Sequence, residues 1–413
     1  MTGMNPTMKN LLRYLFSMMF WGILFTSFEA AAQPVAESEV IPSASEGDAV
    51  ICGVVKDRQN HRRLPYVNIT LDGTNIGTVS NSEGVFELRF PETEFRRVKF
   101  SHIGYASSYL YPAEAGDALT VWMAPSETVL ADVVVYGADP RRIVMEAIDK
   151  IDRNYPANET MSTWFYRETV QKGRRYTGVS EAVMELFKTT YAGRSVTGDR
   201  VRMLKGRRLV SQRSRDTLSV KVAGGPNLAL DVDVVKNPDA LLDPRYLNDY
   251  RFEMEGTIEL DGRMQYVIAF RPQRRPAYPL FSGRLYIDRE RLAFTRAEFE
   301  MDLTDKELAV RSVLHKKPSG LRFNPQKIAF VIGYRQDGSK SYLNYVQNVM
   351  RAKCDWRKRW FSSVYTTYTE MVAIDRDDAP AETIGRKETF RSGQIFSDMV
   401  DEYGDADYWE GYN

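Results

Sequence analysis

Three histidines, two cysteines and two runs of alternating carboxylates are the residues of this 413-residue chain whose types could do chemistry. A zinc peptidase needs His-x-x-Glu plus a distant His, holding the metal with one position open. His61, His102 and His315 are followed by Arg-Arg-Leu, Ile-Gly-Tyr and Lys-Lys-Pro, so none has an acidic residue three positions on. His102 lies in a strand-like "HIGY" and reads as a packing residue. A serine nucleophile would need a Gly-x-Ser-x-Gly elbow, and there is none. Cys52 and Cys354 both fall in strand-like surroundings, 302 positions apart, and either a disulfide or two separate thiols fits an exported chain. Paired carboxylates remain: Glu253, Glu255, Glu259 and Asp261 in one stretch, Glu298, Glu300 and Asp302 in another. Two such groups suffice for glycoside hydrolysis. Alternate strand positions share a face, however, and acids alternating with Met, Ile or Phe describe a solvated face opposite a core. The expectation is a chain without catalytic residues, metal or cofactor.

The densest turn chemistry lies in "LDGTNIGTVSNSEGVFELRFP", Leu71 to Pro91. A phosphate cradle needs its glycines between a strand and a helix N-terminus. A calcium loop needs several carboxylates at alternate positions, and only Asp72 and Glu83 are here. Gly73, Gly77 and Gly84 are therefore read as turns and kinks between strands. Gly104, Gly262 and Gly338 are assigned the same role.

These turns punctuate a β-rich chain. "AVICGVVKD", "PYVNITLDG", "VFELRFP", "RRVKFSHIGY", "LTVWMAP" and "ADVVVYG" are short alternating strands, which predicts an antiparallel, seven-stranded-type sandwich over residues 49–137. Residues 138–156 form a linking helix: Asp139 caps, Pro140 suits the first position, and Ile143, Ala147, Ile148 and Ile151 share a face. Residues 157–375 read as successive hairpins, one turning at Asp261-Gly262. Such a meander curls into an open half-barrel, with the helix as its natural cover. A Pro-broken stretch near 224–244 contains a short helix. Residues 376–413 form an acidic, aromatic tail with a helical turn or two.

Net charge is +1, too near neutral for nucleic-acid affinity of the whole molecule. Its distribution is uneven. Residues 141–215 carry 17 Lys and Arg against 8 Asp and Glu, and residues 370–413 carry 4 against 12. The plainer reading is that these charges solvate exposed faces; the other is that the basic part meets an anionic partner such as lipid head groups or acidic glycan, with the tail folding onto it. Residues 1–32 have the build of a signal peptide: Lys9 and Arg13, an apolar run from Tyr14 to Phe28, then "EAAAQ" with cleavage between Ala32 and Gln33. A polar tether follows at 33–48. No later apolar run is long enough to span a bilayer as a helix. The mature chain is expected in the periplasm or on the periplasmic face of the outer membrane.

"GVVKDRQNHRRLPYVNITLDGTNIGTVSNSEGVFELRFP…VKFSHIGY", closing on "ADVVVYG", resembles the carboxypeptidase regulatory-like domain. This transthyretin-like sandwich is common in exported proteins of the Bacteroidota. Asp132 stands where that family usually has Glu. "WFYRE" at 164–168, "GRLYID" at 283–288 and "DADYWEGYN" at 405–413 more loosely resemble proteins in which the domain precedes a helix and a β-rich C-terminal domain. Members of that family tend to continue further, so an early stop at Asn413 is an expectation of the resemblance. The resemblance implies fold and an envelope setting, and no activity. Three functions follow as expectations: a non-catalytic envelope adaptor or binding module, a periplasmic lipid or lipoprotein carrier using the half-barrel, and a glycan-directed hydrolase.

Overall fold

The computed structural model describes residues 48–91, 97–111, 119–126, 139–210, 220–222, 224–313, 320–356, 362–377 and 381–404. The signal peptide with Ala32 and Gln33, most of the tether, His315, "ADVVVYG" and the "DADYWEGYN" end lie outside the described residues.

The N-terminal sandwich has two sheets. One has the order β4-β1-β7, from β1 (Asp48–Asp57), β4 (Val85–Pro91) and β7 (Leu119–Met123). The other has the order β3-β2-β5-β6, from β2 (Asn68–Leu71), β3 (Gly77–Val79), β5 (Val98–Ser101) and β6 (Ser108–Leu110). Alternation in "VFELRFP" sends Phe86, Leu88 and Phe90 into a core shared with Ile69, Leu71 and Phe100. The expectation of an all-antiparallel sandwich needs one correction, because β1 and β7 pair in parallel. Five strands intervene between them and supply the long crossover that a parallel pair requires.

The C-terminal sheet has ten strands in the order β10-β9-β8-β17-β16-β15-β14-β13-β12-β11 and does not close into a barrel. Its strands are β8 (Thr160–Lys172), β9 (Arg175–Lys188), β10 (Arg200–Val210), β11 (Tyr250–Leu260), β12 (Arg263–Pro272), β13 (Phe281–Asp288), β14 (Phe294–Met301), β15 (Leu321–Asp337), β16 (Lys340–Trp356) and β17 (Ser363–Asp377). β11 to β17 form the meander. The last strand then pairs antiparallel with β8, Trp164 opposite Ala373, which joins the first hairpin of this region to the end of the last.

The inner face of this sheet is apolar and well covered. Helix α1 (Pro140–Asp149) has Asp139 as N-cap, accepting from the Arg141 amide at 3.0 Å, and buries Ile143, Val144, Ala147 and Ile148. Such a cap stabilises a helix by about 1 kcal/mol. One more turn, Ile151–Asn154, ends at the extended Tyr155 before Pro156. A single helix is about 10 Å across and spans about two strand spacings of ~4.8 Å, so it cannot cover ten strands alone. Residues 224–249, the helix Lys306–Val313 and the C-terminal segment 384–403 share the task, contributing Val234, Leu242, Ala309, Phe396 and Val400 to the same core. That C-terminal segment also runs against the β10 edge. The Phe390 amide donates to the Val201 carbonyl at 2.7 Å, and Gly206 forms a parallel bridge with Gly404. Its acids meet the basic stretch through Arg202–Glu388 and Arg208–Asp401 pairs, and Lys221 just beyond that stretch pairs with Asp398.

Asp261-Gly262 forms a two-residue turn between paired Leu260 and Arg263, with φ of 54° and 74°. Gly73, Gly84, Gly104 and Gly338 also have positive φ in turns or bends. Gly77 corrects the turn assignment, because it is the first residue of β3 rather than part of the turn before it. A Cβ there would stand 2.9 Å from the Ile69 carbonyl oxygen and collide with the Arg335 guanidinium. Close approach, rather than chain reversal, requires glycine at this position.

Candidate functional site

The outer face of the ten-stranded sheet receives the sandwich. Val79 packs with Tyr345 and Val372, and the Tyr66 hydroxyl donates to Gln347 at 2.6 Å. Asn344 donates to Asn68 at 2.9 Å, and Arg335 to the Asn75 carbonyl at 2.7 Å. Further along, the Gly104 amide donates to the Glu259 carbonyl at 2.8 Å and Ser126 to the Glu259 carboxylate at 2.7 Å.

Beside this contact lies a cleft of about 250 Å³. Its walls come from Gly77–Val79, Val85–Arg89 and Cys52 on the sandwich, and from Phe165, Arg167, Arg207, Glu370, Val372 and Ile374 on the sheet. β3 and β4 are each at the end of their sheet. Consecutive residues of both line the opening, so the cleft looks along strand edges, where backbone N–H and C=O groups are offered, as well as at side chains. Val79, Phe165, Val372 and Ile374 make much of the rest of the wall apolar.

The polar end is set by sheet register. Arg167 of β8 and Arg207 of β10 both lie directly opposite Glu181 of β9. Direct cross-strand neighbours are close enough for their side chains to pair. Arg167 binds one carboxylate oxygen of the fully buried Glu181 at 2.5 Å, and Arg207 Nε the other at 2.8 Å. Two guanidiniums thus converge on one buried carboxylate, one on each of its oxygens. Glu370, elsewhere in the wall, accepts from Tyr345 at 3.1 Å, Gln347 at 2.9 Å and the Ser82 amide at 3.3 Å. The site can thus hold an apolar body and an extended backbone beside a cluster of charged side chains.

The residues singled out for catalysis are not gathered here. Glu253 pairs with Arg251 and Arg271, Glu255 with Arg284, and Glu298 with Arg296. Asp261 binds Lys99 at 2.5 Å, and Asp302 accepts from the Thr304 amide at 2.9 Å. Exposed His61 packs edge-on to Trp122 at 5.1 Å. His102 packs edge-on to Tyr105 at 5.1 Å, and burial, with Arg296 beside it, pushes its imidazole down to about 3. Cys52 and Cys354 do not form a disulfide: one is half-buried in β1, and the other is buried in β16 with its thiol pushed up to about 12 by burial. Among the described residues, no three His, Cys, Asp or Glu side chains are placed to hold a metal ion.

Residues 51–135 match the family model of the CarboxypepD_reg-like domain, so the chain carries a domain of this class. No curated protein matches the chain. Among solved structures it is similar to a DUF1329 family protein from Desulfovibrio piger, at 9% identity over 59% of this chain and 96% of that one, with a TM-score of 0.27. It is also similar to a LolA superfamily protein from Nitrosomonas europaea, at 11% identity over 59% and 99%, with a TM-score of 0.23. MucB in complex with MucA(peri) gives 14% identity over 56% and 94%, with a TM-score of 0.18. At such scores none of the three bears on what this chain binds.

Proposed function

We propose that this chain is a non-catalytic binding module of the cell envelope, exported by its N-terminal segment, with the cleft between sandwich and sheet as its ligand site. The cleft itself carries the reading: apolar walls, two strand edges and an Arg–Glu–Arg cluster meet in one place. Among the described residues no helix is long and apolar enough to cross a membrane, so any envelope attachment would come from elsewhere in the chain, a strand-built contact or a partner.

Native mass spectrometry of the chain isolated from its own envelope tests this, beside a Thr78→Trp variant whose indole occupies the cleft. A bound species on the parent that is lost from the variant supports the reading. Two bare chains, or equal occupancy in both, overturn it.

Lipid carriage is the second reading, favoured by the open, curled sheet. Its inner face is filled by the chain's own segments, so an acyl chain would enter only where the cover lifts. Residues 384–403 are the part fastened at the rim by ion pairs. A lipid-mass adduct that survives Thr78→Trp would favour this reading over the cleft.

A further inference from the structure

Two lysines and two aspartates are buried together between β9, the start of β10 and the segment 231–236. The side chains of Lys236, Asp199 and Asp233 are wholly buried and that of Lys188 nearly so. The two carboxylates are treated very differently. Asp233 is saturated: Lys188 donates to it at 2.8 Å, Tyr191 at 2.9 Å, Tyr334 at 2.8 Å and the Lys236 amide at 3.3 Å. Asp199 has its hydrogen bonds concentrated on one oxygen. Oδ1 accepts from the Thr189 amide and hydroxyl, both at 2.9 Å, and from Lys236 Nζ. Oδ2 is buried without a hydrogen bond, and the Lys188 ammonium approaches it only to 3.5 Å.

We propose that Lys236 and Asp199 condense spontaneously to an intramolecular isopeptide bond. Lys236 Nζ bonds to Asp199 Cγ, the Cγ–Oδ2 bond breaks, and Oδ2 leaves as water with two of the three ammonium protons. One proton stays on the amide nitrogen. Ammonium and carboxylate become amide and water, so atoms and charge balance and no oxidant or co-reactant is needed.

Each neighbour has a part in this step. The Thr189 amide and hydroxyl already point at Oδ1, where negative charge develops in a tetrahedral intermediate. Fixed contact between amine and carboxyl supplies the proximity that a bimolecular condensation lacks. Burial and the neighbouring Lys188 pull the Lys236 amine down to about 8, which raises the share of nucleophilic, uncharged amine. Burial and the Asp199 charge push the nearby Asp231 up to about 7, so this pocket as a whole disfavours a further negative charge. The product removes two charges from a low-dielectric site and leaves Lys188 paired with Asp233, so desolvation favours it. The new amide N–H can still donate to the Thr189 carbonyl, which Lys236 contacts at 2.5 Å.

Tryptic mapping of the denatured full-length protein decides the matter. Condensation protects Lys236 from cleavage and joins Ser195–Arg200 to Val222–Arg245 as one branched peptide, lighter than the two linear peptides by one water. Lys236→Arg, which keeps the charge but replaces the amine, abolishes the branch. Recovery of Ser195–Arg200 and Asn237–Arg245 as separate linear peptides of full mass overturns the proposal, and so does a branch through Lys188. The wild-type map suffices even where the variant fails to fold.

Discussion

Along β8, Trp164 and Tyr166 are sealed under the inner cover, while Phe165 and Arg167, one residue on from each, line the cleft on the other side. The same division runs across the sheet. Phe330, Ile332 and Met350 face inward to one continuous apolar core, whereas Arg296, Gln347 and Glu370 face outward and meet the sandwich through a cation–π contact and hydrogen bonds. Inner-face contacts are numerous and non-directional, so they supply stability. Outer-face contacts are few and directional, so they fix where the sandwich sits and thereby shape the cleft.

The sharpest way to break this division is a pair of substitutions one residue apart. Trp164→Ala should cost about 4 kcal/mol of unfolding free energy in urea titrations. Phe165→Ala should cost about 1 kcal/mol or less and instead weaken retention of whatever the cleft binds. Equal costs would show that the two faces are not different in kind.

Acid–base behaviour gives the next largest effect, with opposite signs on the two faces. Glu168 is buried on the inner face beside the Tyr166 hydroxyl, and burial pushes its carboxyl up to about 8, with Asp398 adding to the rise. Its folded value lies above its unfolded one. The stability of the neutral form is therefore complete below about pH 4.5 and is lost as pH rises through about 8. A Glu168→Gln chain should lack this alkaline slope in Tm against pH. His102 on the outer face is shifted the other way. Its neutral form stabilises the fold above about pH 6.5, and that contribution fades as pH falls toward 3, reaching roughly 2 kcal/mol near pH 4.5. Hydrogen exchange should accordingly loosen first around 384–403 in alkali and around 102–105 in acid.

The smallest expected effect is at the rim. Lys99→Ala removes the partly exposed pair with Asp261 and should shift stability by about 0.5 kcal/mol, less at high salt. A larger loss would mean that the sandwich depends on its rim rather than on Val79, Tyr66 and their partners.

Much of the fold was legible in advance because alternation and turn chemistry are local. The helix after Asp139, the Asp261-Gly262 hairpin and the strands of both β regions follow from residues within a few positions of one another. The helix Lys306–Val313 went unrecognised. The cleft was hidden for a specific reason. Counting back from the Lys172–Arg175 pair that closes the β8–β9 hairpin would place Ser180 opposite Arg167. A bulge at Val170/Gln171 shifts the register by one residue and brings Glu181 there instead. A slip of one residue exchanges the faces of a strand, so the Arg–Glu–Arg cluster depends on that bulge.

By itself, then, the sequence determined the elements, their turns and the CarboxypepD_reg-like sandwich, since each depends on φ preferences and apolar spacing within short windows. Only the tertiary structure decided that β17 returns to β8, that four segments share the cover, and that Lys236 lies against Asp199. Those pairings join positions tens to hundreds of residues apart, and they are set by which burials and charge partners the whole chain can satisfy at once.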